Sequence, residues 1–163
     1  MRPPLTGRSW MALTDQALDV ESVYRWCVDP GCGAVVLFSG TVRDHSVDGE
    51  TRRDGVRSLT YEAYESRALD VLAAIEAEAR LRWPALAKVA IAHRTGEVPL
   101  SESSVVVAVS APHRPEAFAA GSWLIDAVKA SAPIWKHERW EGGEAWGTGA
   151  TAPVPAHEVG GSC

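Results

Sequence analysis

The chain has 163 residues, 46% of them hydrophobic and 23% charged, a size and balance typical of one globular domain. Sixteen lysines and arginines against 21 acidic residues give a formal net charge of -5, so no overall basic field would recruit nucleic acid or anionic lipid. The sequence has no apolar run of the roughly 18 residues that cross a bilayer and no apolar leader behind Met1, so we expect a soluble, cytoplasmic protein.

The ends of the chain differ in composition from its body. Residues 1–9 are rich in Pro and Gly, and residues 148–163 carry Gly, Ala and Pro without periodicity. We therefore expect two flexible tails around a single domain over residues 10–147.

The three cysteines do not have the spacing of a zinc site, and we expect neither a metal site nor a bound cofactor.

The first third of the chain predicts two strands, one helix and a polar segment. Residues 10–13 predict a short edge strand, and residues 20–28 predict a short helix behind Asp19, which can cap its N-terminus. The run 33–40 is apolar, rich in β-branched residues and bracketed by glycines, which predicts a buried strand. Residues 43–55 are dense in Asp, Gly and Arg, and we expect a mobile surface loop there.

The rest of the chain predicts two long helices with strands around them. Apolar residues recur every three or four positions over residues 66–83 and 115–131, and Pro84 and Pro133 stop the two helices. The core face predicted for the second of these helices consists of Phe118, Gly121, Ser122, Ile125 and Val128. Four further strands are predicted, over residues 56–64, 88–93, 104–110 and 134–140. The strands 88–93 and 104–110 are expected to form a hairpin. Because the elements do not repeat strand–helix–strand units, the predicted fold class is α+β with a mostly antiparallel sheet.

Basic residues stand at the ends of these elements, where functional sites are often built. Arg43 follows the apolar strand, and His113 and Arg114 precede the second long helix. The unpaired N–H groups and the positive dipole end of a helix N-terminus favour a bound anion such as phosphate. The structural alternative is that His113 caps the helix and Arg114 is solvated.

Two lysines near the end of that helix are the other candidates. Lys129 follows Ser122 and Ile125 by seven and four residues, so it shares the helix face assigned to the core. A lysine there snorkels to water, forms an ion pair or takes part in chemistry. Lys136 lies beyond Pro133, so the two amines converge only if the chain folds back.

The commoner catalytic motifs are missing. No Gly-x-Ser-x-Gly, Walker A, dinucleotide or His-Glu-x-x-His pattern occurs, which argues against the usual hydrolase, NTPase, dehydrogenase and zinc-protease classes. An amine in a partly desolvated pocket can act as a nucleophile or a proton carrier, and a charged amine stabilises a carboxylate or thiocarboxylate. The residues alone therefore predict an anion-binding pocket with two lysines.

Five segments together resemble one family. They are 33–43 (GAVVLFSGTVR), 59–64 (LTYEAY), 93–97 (HRTGE), 110–114 (SAPHR) and 128–136 (VKASAPIWK). In this order they are similar to the catalytic large subunit of molybdopterin synthase, the MoaE family. The likeness runs from about residue 10 to Trp146.

The resemblance implies an α/β hammerhead fold and a homodimer in which each large subunit carries a small ubiquitin-like subunit of the MoaD type, giving a heterotetramer. The C-terminal Gly-Gly of that small subunit, activated as a thiocarboxylate, would enter a pocket of the large subunit. The implied sulfurtransferase reaction moves two sulfurs in turn onto cyclic pyranopterin monophosphate (precursor Z), forming the dithiolene of molybdopterin for molybdenum cofactor biosynthesis. Because the sulfur arrives on the partner, no catalytic cysteine is needed.

The resemblance also implies the site residues, in a pocket that two protomers could share. Lys129 matches the family's principal catalytic lysine and Lys136 its second essential lysine. Thr41 stands where many relatives carry a basic residue, and the loop 43–55 is expected to close over the substrate. The residues that match the substrate-binding positions of the family are Thr41, Val42, Arg43, His113, Arg114, Lys129, Lys136, His137 and Glu138.

Two other classes of protein stay open on the sequence alone. A non-catalytic domain that binds a phosphorylated ligand would use Arg43, His113 and Arg114 but would not need Lys129. A purely structural partner subunit would need none of these side chains.

Overall fold

Ten strands, three α-helices and a short 3-10 helix (Ala156–Glu158) occur in the part of the chain that the computed structural model describes, residues 1–48, 51–146 and 154–160. The helices are α1 (Val20–Cys27), α2 (Glu65–Arg82) and α3 (Arg114–Ser131). The strands are β1 (Ser9–Thr14), β2 (Ala34–Thr41), β3 (His45–Asp48), β4 (Thr51–Asp54), β5 (Val56–Ala63), β6 (Val89–Arg94), β7 (Gly96–Pro99), β8 (Ser103–Ala111), β9 (Ile134–Trp140) and β10 (Gly143–Trp146). The predicted α+β class is confirmed.

The first sheet has the strand order β1-β6-β8-β2, with β1 parallel to β6 and the other pairs antiparallel. Nearly all of β8 is buried because helices cover both faces of the sheet: Val107 packs toward α2 and α3, and Val106 packs toward α1. The strand β2 was expected to be buried but lies at the sheet edge and is half-buried.

The second sheet is antiparallel throughout, in the order β10-β9-β5-β7. The strands β6 and β8 pair as expected, but the turn-rich segment between them forms β7, which pairs with β5 in the second sheet. Val42, Val56 and Val98 form a small buried cluster at this sheet. The chain thus passes from one sheet to the other after β2, β5, β6, β7 and β8.

Local sequence explains where the helices begin and end. Asp19 caps α1, since its Oδ1 accepts the Ser22 N–H at 2.9 Å. On α3 the predicted core face was partly wrong: Phe118 is 65% exposed. The buried face instead uses small residues, and a Cβ added to Gly121 would lie 3.0 Å from Val36 Cγ1, so α3 packs closely on β2.

None of the helices in the described ranges is long and apolar enough to span a membrane.

The segment 43–55 is not the irregular loop that its composition predicted. It contains the antiparallel hairpin of β3 and β4, whose pairing runs from His45 opposite Asp54 to Asp48 opposite Thr51. Backbone pairing needs no apolar side chains, so a segment rich in turn-forming residues can still form paired strands. Residues 49–50 lie outside the described residues. The expected mobility and closure of the segment remain predictions.

Part of the predicted C-terminal tail lies against the domain. The backbone carbonyl of Val159, a buried residue, accepts a hydrogen bond of 3.1 Å from Nε1 of Trp123 on α3. Arg82 on α2 lies over the Trp123 ring, with Cζ 4.5 Å from its centroid, and donates to the His157 carbonyl at 3.3 Å. Residues 154–160 therefore cover the ends of α2 and α3.

We expect Trp123→Phe to release this segment, because the variant keeps an aromatic ring but leaves the Val159 carbonyl without its donor. The free energy of unfolding should fall by about 1–2 kcal/mol, and amide hydrogen exchange should rise first in residues 154–160. The control is Trp146→Phe at a position 51% exposed, which should change stability by no more than about 0.5 kcal/mol. Unchanged exchange in residues 154–160 would show that Trp123 does not anchor the segment.

Candidate active site

A pocket of about 700 Å³ lies where the ends of the two sheets meet the C-terminal end of α3. The ends of β2, β6 and β8 form one wall, and β5 and β9 form the other. The hairpin strand β3 contributes the rim. Of the predicted site residues, the structure brings Thr41, Arg43, Lys129, Lys136 and Glu138 together in its lining.

Lys129 enters the pocket from the last turn of α3. Its side chain is exposed, its Nζ lies 5.9 Å from the centroid of the Phe38 ring, and it makes no ion pair with any residue in the described part of the chain. The negative end of the helix dipole and the aromatic face both attract a positive charge at this position. An uncommitted ammonium is therefore available to an anionic ligand.

Lys136 reaches the same pocket because the chain reverses after α3. The helix ends at Ser131, Ala132 caps it, and β9 begins at Ile134. Pro133 cannot continue the helix, so the next residues extend back along β5. The reversal places the two lysines in one pocket, although they lie on different elements.

Glu138 holds Lys136 in place. The Glu138 side chain is 4% exposed, and its Oε1 lies 2.6 Å from Lys136 Nζ. Its Oε2 accepts a hydrogen bond of 2.7 Å from Ser46 Oγ on β3. A buried carboxylate needs such partners, because burial without them would disfavour its charge. Glu138 thus positions a cation and also ties the hairpin to β9.

Thr41 and Arg43 line the pocket from the chain that leaves β2, and both are exposed. Between them, Val42 is 2% exposed and packs in the cluster with Val56 and Val98, so its side chain does not line the pocket. The register shift between Gly40 and Thr41 turns the chain out of the sheet toward the hairpin.

The remaining predicted site residues lie outside this pocket. His113 is the N-cap of α3 without a side-chain capping bond, and Arg114 begins the helix; both are exposed. At 1.5 Å per residue, Arg114 lies about 22 Å along α3 from Lys129. His137 alternates to the opposite face of β9 from Lys136, where its ring packs at 4.9 Å against Trp146.

The family model described as MoaE protein matches residues 13–131. The chain belongs to the MoaE family. A molybdopterin synthase catalytic subunit from Culex quinquefasciatus is 44% identical over 138 residues, which cover 85% of both chains. Another with the same name, from Drosophila mojavensis, is 45% identical over 140 residues, but these span 85% of this chain and only 37% of that protein. The crystal structure of molybdopterin synthase from Staphylococcus aureus superposes with a TM-score of 0.74 at 35% identity, covering 82% of this chain and 93% of that one.

The pocket of this MoaE chain also contains an enclosed histidine that the site predictions missed. His93 is 6% exposed at the end of β6, and its Nδ1 lies 2.8 Å from the Arg94 carbonyl. Burial lowers the pKa of His93 to about 4, so its ring is neutral near pH 7. A histidine that ends an apolar strand resembles a core residue in sequence, and only the fold places it in a pocket wall.

We expect His93 to make stability depend on pH between about 6.5 and 4. Its pKa is lower in the folded than in the unfolded chain, so the unfolded chain binds the proton first as pH falls. The free energy of unfolding should therefore decrease with falling pH, by up to about 3 kcal/mol across that window. Urea unfolding at fixed protein concentration measures this trend. In His93→Phe the free energy of unfolding should depend much less on pH. An identical pH dependence in both proteins would show that His93 is not its source.

Proposed function

We propose that this chain is the catalytic subunit of a molybdopterin synthase. It transfers sulfur from the thiocarboxylated C-terminus of a small ubiquitin-like subunit to cyclic pyranopterin monophosphate. One observation carries the proposal: two of the three lysines in the sequence line one pocket together with Arg43, in a chain of net charge -5. A thiocarboxylate and a phosphate are both anions, and this chain concentrates cations where they would meet.

The proposed transfer balances without any oxidant or reductant. The thiocarboxylate sulfur forms a bond to a substrate carbon while a carbon–oxygen bond at that carbon breaks, and the oxygen leaves with the electron pair and takes up a proton. Water then cleaves the acyl–sulfur bond, which releases the donor as a carboxylate and leaves the sulfur on the substrate. A second donor repeats the sequence at the neighbouring carbon to complete the dithiolene.

The contacts suggest different roles for the two lysines. Lys129 has no ion-pair partner among the described residues, so its amine is the one free to meet the reacting groups and to give a proton to the leaving oxygen. Lys136 is held by Glu138, which favours a fixed charge that orients the donor carboxyl or the substrate phosphate. Both are proposed as catalytic residues.

Lys129→Ala should lower kcat for dithiolene formation by at least about 100-fold, the scale expected for loss of a positioned proton donor. Folding and binding of the small subunit should survive, with a stability change of about 1 kcal/mol or less, because the side chain is exposed. Single-turnover assays with thiocarboxylated small subunit and precursor Z measure the effect.

Two further variants serve as controls for the Lys129→Ala result. Arg25→Ala removes an exposed charge that pairs with Glu21 on α1, a helix that contributes no residue to the pocket lining, and should leave turnover unchanged. Lys129→Arg keeps the charge and loses the readily exchanged proton, so it should remain strongly impaired. Near-normal product formation by Lys129→Ala would show that Lys129 is not the proton donor, whereas no product from the wild-type chain would return it to the class that only binds a phosphorylated ligand.

His113 and Arg114 fit the proposal only if the functional unit is a dimer. They are too far along α3 to reach the Lys129 of their own chain. We propose a symmetric homodimer in which these two residues complete the pocket of the other protomer, with one small subunit bound to each protomer. A two-fold axis would supply the same pair to both pockets.

Mixed dimers test the shared pocket. Arg114→Ala and Lys129→Ala proteins, each inactive alone, are unfolded together, refolded and assayed after light scattering has confirmed a dimer. If the pocket is shared, the mixed dimer contains one intact site, and random mixing should restore about one quarter of wild-type activity. A pocket built within one chain would give no recovery, and a monomeric mass would refute the dimer.

We also propose that the chain acts in the cytoplasm. Cys27 and Cys32 are both free thiols, and burial raises the pKa of Cys27 to about 12, which keeps that thiol unreactive. Unpaired cysteines are typical of a reducing compartment.

A further inference from the structure

The pocket lining contains two aromatic rings, one from each wall, that the proposed chemistry does not use: His93 on β6 and Tyr61 on β5. The His93 and Tyr61 rings meet edge to face, with centroids 4.9 Å apart and planes at 74°. Tyr61 lies directly opposite Lys136 in the pairing of β5 with β9, so both side chains stand on the same face of that sheet. His93, Tyr61 and Lys136 therefore follow one another along the pocket lining.

A hydrogen bond to the backbone determines which ring nitrogen of His93 carries the hydrogen. The Arg94 carbonyl can only accept, so Nδ1 must be the donor in their 2.8 Å contact. In the neutral ring Nε2 then has a lone pair and no hydrogen. Among the described residues Nε2 has no hydrogen-bond partner, and the ring lines the pocket.

The other polar side chains of the lining are mostly donors or already engaged. Arg43, Lys129 and Lys136 can only donate. The Glu138 carboxylate is taken by Lys136 and Ser46. The pocket thus offers several donors for anionic groups, and His93 Nε2 is an enclosed acceptor beside them.

We propose that His93 Nε2 accepts a hydrogen bond from an N–H group of the pterin ring of the substrate, making His93 a specificity-determining residue of the pocket. The inference rests on the proposed function, which supplies a substrate with both an anionic end and a heterocycle rich in N–H groups. The cations bind the phosphate and the thiocarboxylate, and the His93 acceptor selects the ring. The edge of the Tyr61 ring and the Nδ1 bond hold the imidazole in that orientation.

Two amide variants separate this role from a structural one. In His93→Asn the amide nitrogen can replace Nδ1 and keep the bond to the Arg94 carbonyl, but nothing replaces Nε2. In His93→Gln the amide oxygen can reach the Nε2 position and accept from the ligand. His93→Phe keeps the ring packing with Tyr61 and removes both nitrogens.

The experiment measures binding of precursor Z to the full-length chain by anaerobic calorimetry at pH 7. His93→Asn and His93→Phe should bind about 10-fold more weakly than wild type, as expected for one lost hydrogen bond to the ligand. His93→Gln should bind within about 3-fold of wild type. A cyclic phosphodiester of a simple sugar, which lacks the pterin, should bind all four proteins alike. Circular dichroism confirms that each variant is folded.

The outcomes distinguish this inference from the function on which it rests. If wild type binds precursor Z and forms dithiolene, but His93→Phe binds as tightly, the inference fails and the proposed function stands. If His93→Asn binds well and His93→Gln poorly, the Nδ1 bond matters and His93 is structural, which also overturns the inference. If wild type neither binds precursor Z nor forms product, both fall together.

Discussion

The buried carboxylate of Glu138 is the contact on which the geometry of the pocket depends. It joins Lys136 on its own strand to Ser46 on the hairpin, and each oxygen has one of these partners. Removing either partner would weaken the compensation of a buried charge, which costs more than the loss of an exposed ion pair. One interaction therefore sets the direction of a cation and the position of the rim above it.

The rest of the fold brings other groups to that contact. The close packing of α3 on β2 at Gly121 fixes the helix whose last turn carries Lys129. The reversal at Pro133 then returns the chain along β5 and delivers Lys136. Because Lys129 and Lys136 come from a helix end and a strand, their separation depends on the packing of α3 against the first sheet and on the turn that leads into β9. Rigid elements hold catalytic groups more reproducibly than loops do.

Much of the fold was predictable because its signals are local. The Asp19 cap and the prolines that end α2 and α3 were read correctly, since a cap or a missing N–H acts within a few residues. The hairpin in 43–55 was missed because turn-forming residues dominate its composition and its strands are short. The error at Phe118 has another cause: periodicity identifies an apolar stripe, but a neighbouring element decides which part of it is covered.

The site was predictable only in part. The sequence identifies Arg43, Lys129 and Lys136 as candidates. Their proximity in one pocket depends on contacts between residues far apart in sequence. The role of His93 has no local signal at all, because a lone histidine in an apolar strand has the same pattern whether it faces a core or a pocket. The separation of Arg114 from Lys129 along α3 likewise follows from helix geometry, and it makes a second protomer part of the account.

The central claim is that this chain alone provides the catalytic pocket for sulfur transfer between two anionic reactants. Its most direct test combines the purified chain with thiocarboxylated small subunit and precursor Z, and follows dithiolene formation and the mass of the donor in one time course. We expect two donor tails to change from thiocarboxylate to carboxylate for each dithiolene formed, and we expect neither change without the chain. Donor conversion that yields no dithiolene, with precursor Z bound, would mean that the pocket hydrolyses the thiocarboxylate without transferring its sulfur, and would contradict the account.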